Sequence, residues 1–339
     1  MRLRPDLSAM TERWTLPFPR CSWRPILTLL VFALVSSCQQ QPHKTRIGVV
    51  PKAISLVFWQ SVHAGAVAAG REENIDIEWN GPTTEVDFSR QIEIVDSMIN
   101  SRVDGIVVAP SEATALVGVV ERAAREGIPV TIFDTGINTE QYISFVSTNN
   151  YEAGVVGART LAAALGGRGK VAVVRMVPGS ASTTAREDGF ADTITRKSPE
   201  IEIVAEQYCM ANPAKALAVA ENMLTAHPDL SGMFASAEPA TVGPVQALKA
   251  RGLVGKVKLV GFDFGDTIEQ ALMDGVLAAA VVQDPFNIGY TAVKTMAAKL
   301  RSETPERRID SPVKVVTGEN LSDPEVDRFV HPNLAEYLD

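Results

Sequence analysis

Cysteine is scarce in this 339-residue chain, limited to Cys21, Cys38 and Cys209. That supply excludes both a disulfide scaffold and a thiolate metal site. The four histidines, His43, His63, His227 and His331, lack the close spacings of metal ligands, so neither a metal nor a cofactor is expected. A G-x-x-x-x-G-K-[ST] phosphate loop is missing, because "GGRGK" precedes a strand instead of opening a helix. No G-x-S-x-G elbow follows a strand either. No Lys/Arg block interrupts the chain beyond its first part, and the net charge is -8, which excludes a nucleic-acid backbone partner. Aromatic residues make up only 6% of the chain, so the adjacent pair Phe58 and Trp59 in "LVFWQSVHAGA" needs a reason.

The apolar run "ILTLLVFALV" (Ile26 to Val35) is shorter than the roughly 20 residues of a membrane span. Arg20 and Arg24 precede it, and small residues and Cys38 follow, as in a secretory signal with its processing site. Residues 1–37 therefore read as a signal peptide, with Met10 a candidate start. "VSSC" resembles a bacterial lipobox, which implies lipidation of Cys38, a tether over 38–45 and anchorage to a membrane on the periplasmic or outer envelope face. An ordinary secreted chain is the alternative. With Cys38 lipidated, Cys209 has no partner within the chain.

Beyond the tether, apolar strand-like runs alternate with amphipathic helical ones: "RIGVV", a helix from Phe58 to Arg71, "IDIEWN", Ser89 to Asn100, "VDGIVVAP", Ala113 to Arg125, and "IPVTIFD". The rhythm repeats with "GKVAVVRMV", Thr184 to Thr195, "IEIVAEQY", Ala214 to Ala226, "LSGMFAS", Thr241 to Ala250, and "KVKLVGFD". Strands too apolar to be half-exposed, spaced by helices, predict an α/β fold with parallel sheets covered on both faces. Two halves of like order predict two domains, changing near residue 149. The elements after Asp263 are too few for a third core, so they must return to the existing sheets and cross between them more than once.

Ligands of open parallel sheets bind beyond the carboxyl ends of the strands. The residues there are Lys52, Phe58 and Trp59 after the first strand, Asp134 after the fourth, and Asn150 after the domain change. The second half supplies Ser182, Arg186, Glu238, Asp263 and Gln283. Carboxylates accept from hydroxyls, Arg and Lys donate to them, an amide does both, and a ring face can lie against C–H groups. Together they predict a binding site for a small sugar or polyol. Each residue also has a plain structural alternative: the two rings as core, Lys52 as a solvated loop lysine, and Arg186 paired with Glu187 or Asp188. Asp134, Asp263 and Asn150 could be caps or turn formers, and Gln283 a hinge hydrogen-bonder. A hydrolase using Asp134 and Asp263 is disfavoured, because its two carboxyls must keep a fixed separation and these would sit on lobes that move.

With these residues assembled, "IGVV…VFWQSVHAGA", "VDGIVVAP", "GIPVTIFD", "STNNYEAG", "GSASTTAREDGF", "LTAHPDL", "LVGFD" and "GVLAAAVVQDP" resemble, in this order, the periplasmic sugar-binding proteins of ABC importers, the ribose/galactose-type cluster of type I binding proteins. The resemblance runs from about Arg46 to Gly318. It implies two Rossmann-like parallel-sheet lobes joined by a three-segment hinge, a non-enzymatic monomer that closes on a sugar and presents it to a membrane permease. It implies an N-terminal lobe of 46–148 and 284–312, a C-terminal lobe of 149–283 and 313–325, and a tail of 326–339. Family ligand positions match Phe58, Trp59, Asp134, Arg186, Asp263 and Gln283. Ribose binders carry Arg where this chain has Thr135, and Asn where it has Ala109 and Ala237. A second likeness, in "VPKA" and "GPT", is to binders of autoinducer-2, in which a Lys at the position of Lys52 touches ligand; an importer or sensor of such a ligand is the alternative function.

Overall fold

The computed structural model describes residues 44–338. The signal peptide, Cys38 and most of the tether lie outside the described residues.

The first lobe opens with β1 (Arg46–Val50), α1 (Val57–Glu73), β2 (Asp76–Trp79), α2 (Phe88–Asn100), β3 (Gly105–Val108), α3 (Val117–Arg125), β4 (Val130–Phe133) and β5 (Ser144–Thr148). At Asn149 the chain passes to the second lobe: α4 (Asn150–Ala164), β6 (Gly169–Arg175), α5 (Ala181–Lys197), β7 (Ile201–Tyr208), α6 (Pro213–Ala226), β8 (Leu230–Ala235), α7 (Glu238–Ala250), β9 (Lys258–Phe262), α8 (Asp266–Met273) and β10 (Ala279–Gln283). It returns at Asp284 with α9 (Pro285–Leu300) and β11 (Arg308–Ser311), then leaves at Pro312 for β12 (Val313–Val316) and α10 (Pro324–Val330).

The sheets run β11-β5-β4-β3-β1-β2 and β12-β10-β9-β8-β6-β7, the same order twice. Central strands such as β3, β4 and β10 are buried along their whole length, as sheets covered on both faces require. The strand pairs are parallel apart from β12, which runs antiparallel to β10 with Val313 opposite Gln283. The fold is thus two α/β lobes with parallel sheets, linked by multiple crossovers.

The repeat extends to single residues. α1 and α5 are both 17 residues long, and each carries Gly at its ninth position, Gly65 and Gly189. α9 and α4 each carry Gly at the fifth position, Gly289 and Gly154. A Cβ on Gly65 would lie 2.0 Å from the Phe286 carbonyl oxygen, and one on Gly189 2.1 Å from that of Tyr151. Each lobe therefore locks its post-crossover helix against the helix after its first strand by backbone contact that no larger residue permits.

Helix starts depart from the sequence reading for local reasons. α3 begins at Val117 and not Ala113, because the Glu112 carboxylate takes the N–H groups of Thr114 and Ala115 and holds that segment in a turn. α7 begins at Glu238, ahead of Thr241, with Pro239 in its first turn, where the missing N–H costs nothing. α5 begins at Ala181, ahead of Thr184, which puts Arg186 in the second turn of its helix.

The chain end forms a strap. His331 approaches Glu269 of α8 at 3.3 Å and Asp327 at 2.9 Å, and its ring meets Phe264 edge-on, all within the second lobe. A few residues later Arg71 of α1, in the first lobe, donates to the Glu336 carbonyl at 2.7 Å, and Tyr337 leans on Phe286.

Candidate functional site

The two sheets end in the same device. Asp134 follows β4 and Asp263 follows β9, both in the left-handed region at φ 57° and 65°. Each N–H donates to the neighbouring strand, Asp134 to the Val146 carbonyl at 2.9 Å and Asp263 to that of Val281 at 3.0 Å. Asp tolerates this backbone where a branched residue would not. The kink turns each carboxylate out of the sheet and into the space between the lobes. Neither residue caps its own following helix. Asp263 does accept from the Glu238 N–H at 3.1 Å, so it also anchors the start of α7.

Arg186 is 2% exposed and contributes the buried positive charge of the second lobe's cavity wall. Its guanidinium donates to Asn150 Oδ1 at 2.7 Å and to the Ser236 carbonyl, and lies 3.5 Å over the Phe262 ring. The alternative pairing with Glu187 is not made: Glu187 is held by Arg175 at 2.6 Å, by the Met176 N–H and by Ser236 Oγ. Burial pulls the Arg186 pKa down, and the Asp263 and Asp134 carboxylates oppose that fall. Asn150 is the first residue of α4; the cap is Asn149, whose side chain accepts from the Glu152 N–H.

The rings of Phe58 and Trp59 meet edge to face, with centroids 4.9 Å apart and planes at 84°. They cannot lie flat on one side of the same ligand ring; one supplies a face and the other an edge. Trp59 is also core, edge-on to Phe133, so the two readings of this residue hold together. Its indole N–H donates to Glu85 Oε1 at 2.9 Å. Burial raises the Glu85 pKa, and Lys52 and the indole N–H pull against it.

Phe58, Trp59, Asp134, Arg186, Glu238, Asp263 and Gln283 converge on one small cavity between the closed lobes, of about 30 Å³. Lys52, Ser182 and Asn150 stand behind that wall. Lys52 pairs with Asp134 at 2.8 Å and donates to Ser182 Oγ at 3.1 Å, while Thr135 Oγ1 meets Ser182 Oγ at 2.8 Å. These last two bonds cross from one lobe to the other, so the lobes are closed. Gln283 donates to Asp263 Oδ1 at 2.8 Å, and its own oxygen is buried without a partner. Oε2 of Glu238 is likewise covered and unpartnered. The Glu238 pKa is pushed up to about 7, by burial first and then by the carboxylates of Asp263, Glu85 and Asp266. Burial also raises the Asp263 pKa, against the pull of Arg186 and Gln283. A larger and more apolar chamber of about 220 Å³ shares Phe58, Asp263 and Gln283 with the first and is lined by Phe329, Val330 and Leu334 of the strap. The smaller cavity is the candidate site, because it lies where the carboxyl ends of both sheets meet.

Sequence reasoning did not find Glu85, Leu56, Met176, Thr183 and Pro239, which with Ala237 complete the wall. Glu85 sits in "GPTTEVD" after the edge strand β2, where only its bond to Trp59, 26 residues earlier, brings it to the site.

A model of the periplasmic binding protein domain matches residues 47–304. The chain belongs to the periplasmic binding protein family. This binding protein is 31% identical to the D-ribose/D-allose-binding protein of Pseudomonas aeruginosa over 82% of its own length and 90% of that protein's. A carbohydrate transporter solute-binding protein from Agrobacterium radiobacter, solved in complex with D-arabinose, superposes with a TM-score of 0.83 at 32% identity, covering 86% of this chain and 100% of that one. A solute-binding protein from Agrobacterium vitis with bound D-fucose superposes at 0.81 with 35% identity, covering 84% and 100%. The family is one of non-catalytic binding proteins, and this member works outside the cytoplasm. Among the described residues no group of His, Cys, Asp and Glu could hold a metal ion. Cys209 is buried, with its pKa raised by burial to about 11, and takes no part in the site.

Proposed function

We propose that the cavity between the lobes holds one monosaccharide or polyol, with Phe58 and Trp59 against its C–H surface and Asp134, Arg186, Glu238, Asp263 and Gln283 on its hydroxyls. The protein is the substrate-binding component of an ABC sugar importer, and its partners are that sugar and the permease. The carrying observation is that carboxylates, a guanidinium, an amide and aromatic rings from both lobes face one space at the carboxyl ends of both sheets. In this reading residues 46–148 with 284–312 and residues 149–283 with 313–325 move as two bodies about Asn149, Asp284 and Pro312. A monomeric chain lipidated at Cys38 would carry the lobes at the membrane; the support is the "VSSC" sequence and the polar residues after it.

Ribose, allose, arabinose and fucose are ligands of relatives and form the first panel. Thr135 turns to Ser182 where ribose binders offer Arg, and Ala237 leaves an apolar wall where they offer Asn, which argues against recognition of ribose in their manner. The autoinducer-2 alternative needs Lys52 at the ligand, and Lys52 is held by Asp134 and Ser182 behind the wall. Titration calorimetry of the mature protein with aldoses, 6-deoxy sugars, sugar alcohols and autoinducer-2 tests the reading: saturable binding to a sugar or polyol is expected, and binding to autoinducer-2 alone overturns it.

A further inference from the structure

Charge does not balance inside the cavity. Its wall carries the carboxylates of Glu85, Asp134, Glu238 and Asp263 against the one guanidinium of Arg186. Lys52, just behind, is committed to Asp134 at 2.8 Å. Arg186 offsets Asp263. Glu85, from the loop after β2 in the first lobe, has only the indole N–H of Trp59 and a share of Lys52, and Glu238, from the start of α7 in the second, has no cation at all. Oε2 of Glu238 has no partner, and every charged group acting on Glu238, namely Asp263, Glu85 and Asp266, is an anion. An independent sign comes from Gln283, 3% exposed, which donates to Asp263 and leaves its oxygen buried and unpartnered in the same wall, so the orphan acceptors there are two, Gln283 Oε1 and Glu238 Oε2, against one orphan donor, Arg186 Nε. Closing the lobes brings Glu85 and Glu238 to one small space, which like charges oppose unless a cation or a proton lies between them.

We infer that the ligand of this cavity is a sugar or polyol bearing an ammonium group, seated between Glu85 and Glu238. The inference rests on the cavity being the sugar site and names the class of sugar it takes. An ammonium offers three donors and no acceptor, which suits a wall rich in unpaired acceptors. It also bridges the lobes, so the cation itself holds the closed state. Uronates and sugar phosphates are rejected, because each adds a negative charge to a space already short of positive ones.

Calorimetry decides it with pairs of probes: D-glucose, D-galactose and D-allose beside their 2-amino-2-deoxy forms, sorbitol beside 1-amino-1-deoxysorbitol, and D-glucuronate and D-galacturonate. At pH 6.5, where the amines are protonated, at least one amine should bind about tenfold tighter than its neutral parent or more. Both uronates should bind more weakly than the neutral sugars. Glu238→Gln and Glu85→Gln should each bring the amine-to-parent ratio toward one; two isosteric variants guard against one failing to fold. Binding of the amine should release protons at pH 6.5, read from its enthalpy in buffers of different ionisation heats, because a carboxyl with a pKa of about 7 must ionise to face the cation. If no amine outbinds its neutral parent while a neutral sugar binds, or if the preference persists in both variants, the inference is overturned and the sugar site stands. Failure of neutral and amino compounds alike overturns the sugar reading and the inference with it.

Discussion

Trp59 is held on three sides: by its indole N–H on Glu85, by Phe58 and by Phe133. A side chain fixed this firmly presents the same surface whether or not a ligand is present, so little ordering entropy is lost on binding. Trp59→Ala should weaken sugar affinity at least about tenfold in calorimetry, and should also cost about 3–5 kcal/mol of stability, because the ring is core. Trp59→Phe separates the two effects. It keeps an aromatic face but frees Glu85, and it should retain most of the stability while losing part of the affinity; unchanged affinity in both variants would remove Trp59 from the site. At this scale the sequence was informative wherever a residue follows a strand of the central sheet, as Asp134, Asp263 and Gln283 do. Lys52 and Ser182 also follow strands, but they meet each other across the gap beside the cavity without lining it, and the sequence was silent on Glu85, which reaches the site from an edge loop through a bond distant in sequence.

The glycine crossings explain why the lobes behave as bodies. With Gly65 against the Phe286 carbonyl and Gly189 against that of Tyr151, each helix pair is in backbone contact, and a methyl group forces the pair apart. Gly65→Ala and Gly189→Ala should each lower stability by about 1–3 kcal/mol in denaturant melts, with the larger loss in the lobe that relaxes less. Equal stability of either variant with the parent would mean that the helices separate freely. The alternation of strands and helices was legible because the buried strands are mostly unbroken apolar runs, such as those of β1, β3 and β10. Helix starts were less so: Glu112 and Pro239 move them by local bonds and steric preference that periodicity does not register. The small residues "HAGA" and "REDGF" held the clue to the crossings, but one chain read alone does not say which helix each faces.

For the whole molecule, the lobe motion proposed above would turn on the three connections at Asn149, Asp284 and Pro312. Solution scattering should show a smaller radius of gyration with a bound sugar than without; identical curves would argue for lobes that do not move. The strap adds a pH term. Burial works against charge on His331, but Asp327 and Glu269 outweigh it and raise its pKa, so the contact is fully present below the ordinary histidine value of about 6.5 and is lost as pH rises through the raised one. Amide exchange protection in 324–338 should therefore fall between pH 6 and pH 8 beyond the intrinsic change, and a flat profile would show that His331 does not fasten the segment.

Because the strap begins on one lobe and ends at Arg71 on the other, it works as a leash. A tether of that kind would cap how far the jaws can part, so release of cargo would depend on a segment that does not line the cargo's own cavity. A shortened chain ending before Glu336 would gape wider and let go faster, trading retention for turnover.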